Sequence, residues 1–138
     1  MANIEKSSLN IIVPGTGCCR GEILAARGPV YDMQRFGINV VTIPEDADIL
    51  VLSGFLSTAI VDRYIDIYDR MKAPKWVFAA GSCIISGGRF CWNREHMERL
   101  KREIPVDMYI PGCPPRPEAF IFAVLRFLAD SPVRVKDV

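Results

Sequence analysis

"ADILVLSG", residues Ala47 to Gly54, carries an apolar run from Ile49 to Leu52 with no polar alternation. A run of that kind suits a strand covered on both faces, and such strands belong to parallel sheets flanked by helices. The stretches on either side test this reading. "STAIVDRYIDIYDRM" (Ser57 to Met71) repeats Ile60, Val61, Tyr64, Ile65, Ile67 and Tyr68 at helical spacing, with Ser57 or Thr58 able to cap its start and Pro74 stopping it. "KWVFAAGS" (Lys75 to Ser82) is a second buried strand.

Further out, the pattern repeats. Toward the N-terminus, "NIIVPG" (Asn10 to Gly15) reads as a short strand ended by Pro and Gly. "EILAARGPVYDMQRFG" (Glu22 to Gly37) begins helical and is interrupted at Gly28 and Pro29, and "INVVTI" (Ile38 to Ile43) is a β-branched strand. Toward the C-terminus, the glycine-containing loop "CIISGGRFCWN" (Cys83 to Asn93) leads to a charged helix, "REHMERLKRE" (Arg94 to Glu103). "VDMYIPG" (Val106 to Gly112) is the last strand, and "CPPRPEAFIFAVLRFLAD" (Cys113 to Asp130) is a proline-rich turn entering an amphipathic helix. In that helix Phe120, Ile121, Val124, Leu125 and Leu128 form one apolar stripe that fits a core face. Strands alternating with helices through short loops predict an α/β fold, an open, mostly parallel sheet with helices on both faces. The 138 residues suit a single domain, 1–138, with a loose tail, "SPVRVKDV", from about 131.

Bulk composition narrows the function classes. With a formal charge of +1 and 24% charged residues, no basic footprint for nucleic acid is present. The chain is 50% apolar with a positive mean hydropathy, which fits either a subunit burying faces against partners or a small domain with a generous sheet. No apolar window approaches the roughly 18 residues that a membrane-crossing helix needs, because Arg126 breaks the longest run. The polar start "MANIEKSSLN" carries no hydrophobic signal region, so a cytoplasmic protein is expected. In a reducing compartment its five cysteines suit metal or redox work better than disulfides.

Four of those cysteines follow strand ends: Cys18 and Cys19 in "GTGCCRGE", Cys83 after "WVFAAGS" and Cys113 after "VDMYIPG". The carboxyl ends of parallel strands share one edge, where ligands of open α/β sheets collect, so the four can converge. Any one alone reads as well as a small buried hydrophobe. Together, in glycine- and proline-rich loops, they suit a tetrahedral Zn²⁺ or an iron–sulfur cluster. Zinc usually takes C-x-x-C pairs, absent here, and a cluster is large enough to offer different irons to two neighbouring residues. The glycines of "GTG", "GS", "SGG" and "PGCPP" leave backbone N–H groups free to offset thiolate charge. Cys91, between Phe90 and Trp92, lies off any strand end and reads as a packing residue.

"CCxxE" at Cys18 to Glu22, "YDMQRFG" at Tyr31 to Gly37, "GSCxxSGG" at Gly81 to Gly88 and "IPVDMYIPGCPPRPEA" at Ile104 to Ala119 resemble the iron–sulfur subunit of respiratory complex I. Its relatives include the small subunits of membrane-bound [NiFe] hydrogenases. The resemblance runs from about Ile11 to Leu128. It implies a flavodoxin-like fold holding one [4Fe-4S] cluster, the last of an electron-transfer chain, on Cys18, Cys19, Cys83 and Cys113. It also implies partners: a hydrogenase-like large subunit, an upstream ferredoxin-like iron–sulfur subunit and membrane subunits. The expected place is then peripheral, at the cytoplasmic face of the membrane. In hydrogenase small subunits the first thiol stands three residues before the second, a position held here by Thr16, so the resemblance leans to the complex I side. Quinone-reducing members carry an extension ahead of the first strand, where this sequence has only Met1 to Asn10; a related ferredoxin-driven complex is the corresponding expectation.

Around the cysteines, Glu22 is a candidate proton site linked to reduction, or an ordinary first-turn glutamate. Arg116 is a candidate neighbour of Cys113, or the partner of Glu118. Arg20 could raise the potential of a cluster or face solvent. Tyr31, Asp32, Arg35 and Phe36 read as an interface or a buried turn, and His96 as a solvated side chain. Two further function classes stay open: a membrane-bound [NiFe] hydrogenase small subunit, and a flavin- or nucleotide-binding module using the same strand ends.

Overall fold

Every residue of the strand Ile49–Ser53 is buried, as an unbroken apolar run requires. The computed structural model describes residues 4–6, 8–88, 94–130 and 133–135. In chain order its elements are β1 (Ile4–Lys6), β2 (Leu9–Ile12), α1 (Cys18–Ala25), β3 (Ile38–Val40), β4 (Ile49–Ser53), α2 (Thr58–Arg70), β5 (Trp76–Ala80), α3 (Ser82–Ile85), α4 (Arg94–Glu103), β6 (Met108–Ile110), α5 (Pro117–Asp130) and β7 (Val133–Val135).

Five strands form one sheet in the order β3-β2-β4-β5-β6, and every neighbouring pair is parallel. Counted within the sheet, this is the 2-1-3-4-5 order of flavodoxin-like folds. The period-two alternation of β4 divides the core between two faces. Ile49 and Val51 pack with Ile23 of α1 and with Phe120, Val124 and Leu128 of α5. Leu50 and Leu52 pack with Val61, Tyr64 and Ile67 of α2 and with Met97 and Leu100 of α4. The stripe predicted for the last helix is therefore core. Ser57 caps α2, its Oγ accepting from Ile60 N at 3.3 Å.

Three local expectations change. The strand expected over Ile38 to Ile43 ends at Val40; beyond it Ile43 is exposed and Pro44 opens a 3-10 turn. Cys83 lies on the short helix α3 rather than in an open loop. Within the stretch read as a loose tail, β7 pairs in parallel with β1, Ile4 opposite Val133. Phe90, Cys91 and Trp92 lie outside the described residues.

Candidate metal centre

The sheet delivers four thiols to one edge through three connections. After β2 the chain passes Gly17, at φ 86°, and enters α1 at the tandem pair itself. Cys18 and Cys19 thus stand on the first helical turn instead of in the glycine-rich turn expected, because the glycine takes the reversal and leaves the next residue free to begin the helix. After β5, Gly81 leads into α3 and Cys83. After β6, Gly112 precedes Cys113. The last two connections are stitched together: Ser82 donates to the Gly112 carbonyl from both its backbone N (2.9 Å) and its Oγ (3.1 Å), and Gly81 N donates to the Ile110 carbonyl at 2.8 Å.

Cys19 joins the first connection to the other two. A Cβ built on Gly81 would overlap Cys19 Sγ, with the Gly112 carbonyl 3.6 Å away. Gly81 also sits at φ 91°, where only glycine is at ease. Cys19 is 3% exposed, whereas Cys18 and Cys113 are exposed and Cys83 is half-buried. Burial pushes the Cys19 thiol up to about 12, and the charge of Cys18, a hydrogen bond with Cys18, and the charges of Cys83 and Cys113 push the same way. The other three sulfurs therefore all act electrostatically on Cys19. Among the described residues no group of three or more His, Cys, Asp or Glu side chains closes on a single ion. A donor set of four thiols outside any disulfide and without histidine, standing just past three parallel strand ends with Cys19 against Gly81, fits an iron–sulfur cluster, whose irons each take one thiolate.

The accompanying candidates fall at different depths. Glu22 is half-buried on α1, one turn past the tandem pair and hence on their side of the helix. Arg20 Nε donates to the Val13 carbonyl at 3.2 Å, which holds its stem along the loop. Arg116 is exposed and pairs with Glu118 at 3.5 Å. Asp32, at φ 47°, opens a 3-10 turn over Met33–Phe36 with Met33 fully buried, a turn anchored in the core. His96 is half-buried on α4.

Two residues under the site escaped the sequence reading. Tyr64, treated there as one more apolar helix position, donates its hydroxyl to the Ser53 carbonyl at 2.6 Å and accepts from Ser53 N at 3.3 Å. Both lie against Gly15, at the start of the tandem-cysteine loop. The available signal was small: Ser53 is the one hydroxyl ending an otherwise apolar run.

Comparison with known proteins places residues 17–127 within the family described as NADH ubiquinone oxidoreductase, 20 Kd subunit. The chain is 41% identical over 122 residues to one subunit of the NADH-quinone oxidoreductase of Rubrobacter xylanophilus, covering 88% of this chain and 49% of that protein. It is 41% identical over 117 residues to one subunit of the F(420)H(2) dehydrogenase of Methanosarcina mazei, covering 85% and 64%. The chain thus spans about half to two thirds of the length of these curated relatives. Among solved structures, a chain of the membrane-bound sulfane sulfur reductase, an archaeal respiratory membrane complex, superposes with a TM-score of 0.76 at 34% identity over 90% of this chain and 70% of its own.

Proposed function

Because the chain belongs to the NADH ubiquinone oxidoreductase 20 Kd subunit family, we propose that it is the electron-transfer subunit of a complex I-like, membrane-bound oxidoreductase complex, holding one [4Fe-4S] cluster on Cys18, Cys19, Cys83 and Cys113. The observation that carries this is the placing of four cysteines, none of them in a disulfide, just past three parallel strand ends, with Cys19 packed against Gly81 and within electrostatic reach of the other three. Such a cluster, when bound, supplies one-electron transfer.

The chain's own residues hold and shield it. Cys19 forms the buried wall of the site, and Cys18 and Cys113 its exposed rim, which faces whatever subunit completes the enclosure. Ser82 fixes the spacing of the Cys83 and Cys113 connections through the Gly112 carbonyl. The backbone N–H groups of Gly81, Ser82 and Gly88, expected to be free for thiolate charge, are instead spent on the Ile110 carbonyl, the Gly112 carbonyl and Ser86 Oγ, which stiffens the loops that carry Cys83 and Cys113. Glu22 is the proton-accepting neighbour on α1, and Arg116 a peripheral cation beside Cys113.

The partners in this reading are a hydrogenase-like large subunit, an upstream ferredoxin-like iron–sulfur subunit and membrane subunits, with the chain peripheral at the cytoplasmic face. Among the described residues no helix is long and apolar enough to cross a membrane. The acceptor is a quinone or another oxidant taken up at the large-subunit boundary; likeness to the sulfane sulfur reductase complex supports the second. Iron and acid-labile sulfide analysis with EPR, on anaerobically prepared protein and on Cys19→Ser, tests the assignment. About four irons per chain and a reduced S = 1/2 signal, lost or altered in the variant, are expected. Zinc or flavin in place of iron would overturn it.

A further inference from the structure

Ser53, fully buried at the end of β4, carries the one buried side-chain oxygen without a hydrogen-bond partner among the described residues. Its backbone is fully engaged by Tyr64, which donates to its carbonyl and accepts from its N–H. Its Oγ is turned to Gly15. A Cβ on Gly15 would overlap that Oγ and lie 2.7 Å from both the Ser53 carbonyl and the Tyr64 hydroxyl. Gly15 in turn starts the short connection that ends in Cys18 and Cys19.

A buried hydroxyl with no partner costs stability, and for the fold alone alanine would serve as well or better. The other polar atoms at this point are satisfied, so poor packing chemistry in general does not explain it. What distinguishes Ser53 is its place beneath the loop of the tandem cysteines, in a low-dielectric layer where a hydroxyl dipole acts strongly. Cys19 also lies close enough to Tyr64 for its charge to act on the phenol.

We propose that Ser53, pinned from behind by Tyr64, is a positioning and tuning residue whose free hydroxyl turns its proton toward the four-cysteine site and favours added negative charge there. This rests on the cluster reading above. A hydrogen-bonding dipole next to the ligand loop raises the reduction potential relative to an apolar residue.

The test is a potentiometric EPR titration of the full chain loaded anaerobically with iron and sulfide, comparing wild type, Ser53→Ala and Tyr64→Phe, with iron content and thermal unfolding measured on the same samples. Ser53→Ala is expected to keep its iron, to unfold at the same or a higher temperature, and to titrate at a lower potential. Tyr64→Phe, which frees the Ser53 backbone, should shift in the same direction and unfold earlier. Wild-type potentials in both variants, whatever their stability, would make Ser53 a packing residue and overturn the inference while leaving the cluster intact. Absence of iron and sulfide from the wild type would instead remove the cluster reading, and the inference with it.

Discussion

The sulfur of Cys19 occupies the place where a side chain on Gly81 would begin. Two residues far apart in sequence thus share one position in space, and neither can change size without moving the other.

Gly81→Ala is expected to displace Cys19 and to strain a backbone held at φ 91°. The strain alone costs about 1 to 3 kcal/mol. Iron bound per chain after anaerobic reconstitution should fall several-fold, and the denaturation midpoint should drop; full occupancy would show that the loop can yield.

Cys19 in metal-free protein should remain a thiol at pH 8, since burial and then its cysteine neighbours raise it to about 12. Iodoacetamide labelling followed by peptide mass analysis should find exposed Cys18 and Cys113 modified roughly tenfold faster or more. The sign for stability follows. The unfolded thiol titrates near about 8.5, so the contribution is whole below that pH and declines as pH rises toward 12. Between pH 8 and 9.5 the metal-free wild type should lose more stability than Cys19→Ser.

Tyr64→Phe leaves the Ser53 N–H and carbonyl without their partner. A loss of about 1 to 3 kcal/mol is expected from chemical denaturation. Burial holds the Tyr64 phenol up to about 12, so its contribution is present below about pH 10 and is lost as pH rises through 12; the variant should lack that part of the alkaline transition.

Loading the cluster requires the bound thiols to give up their protons, so loading should release protons and tighten as pH rises. A pH-indicator titration during reconstitution checks this. Cys18→Ser, Cys83→Ser and Cys113→Ser should each lower iron content, whereas Cys91→Ser should keep it.

Arg116→Ala removes an exposed pair with Glu118. The change in unfolding free energy should be below about 1 kcal/mol, with iron content retained. A large loss of iron would give Arg116 a role at Cys113 beyond that pair.

The sequence by itself determined the architecture and the placing of four cysteines just past strand ends. The unbroken run at Ile49 to Leu52 announces a strand covered on both faces, and the spacing of Phe120, Val124 and Leu128 announces the helix that covers one of them. Cysteines placed just past strand ends follow from the same local signals, because a parallel sheet sends all those ends to one edge. The tertiary structure alone decided what depends on non-local contact. It put Cys18 and Cys19 on a helical turn, since Gly17 absorbs the reversal. It joined Val133–Val135 to Ile4–Lys6, a pairing between chain ends that no local window contains. It also set Ser53 and Tyr64 under Gly15, and Gly81 against Cys19. These are distances between side chains on different strands and helices, and periodicity records only which face a residue is on, not what it meets there.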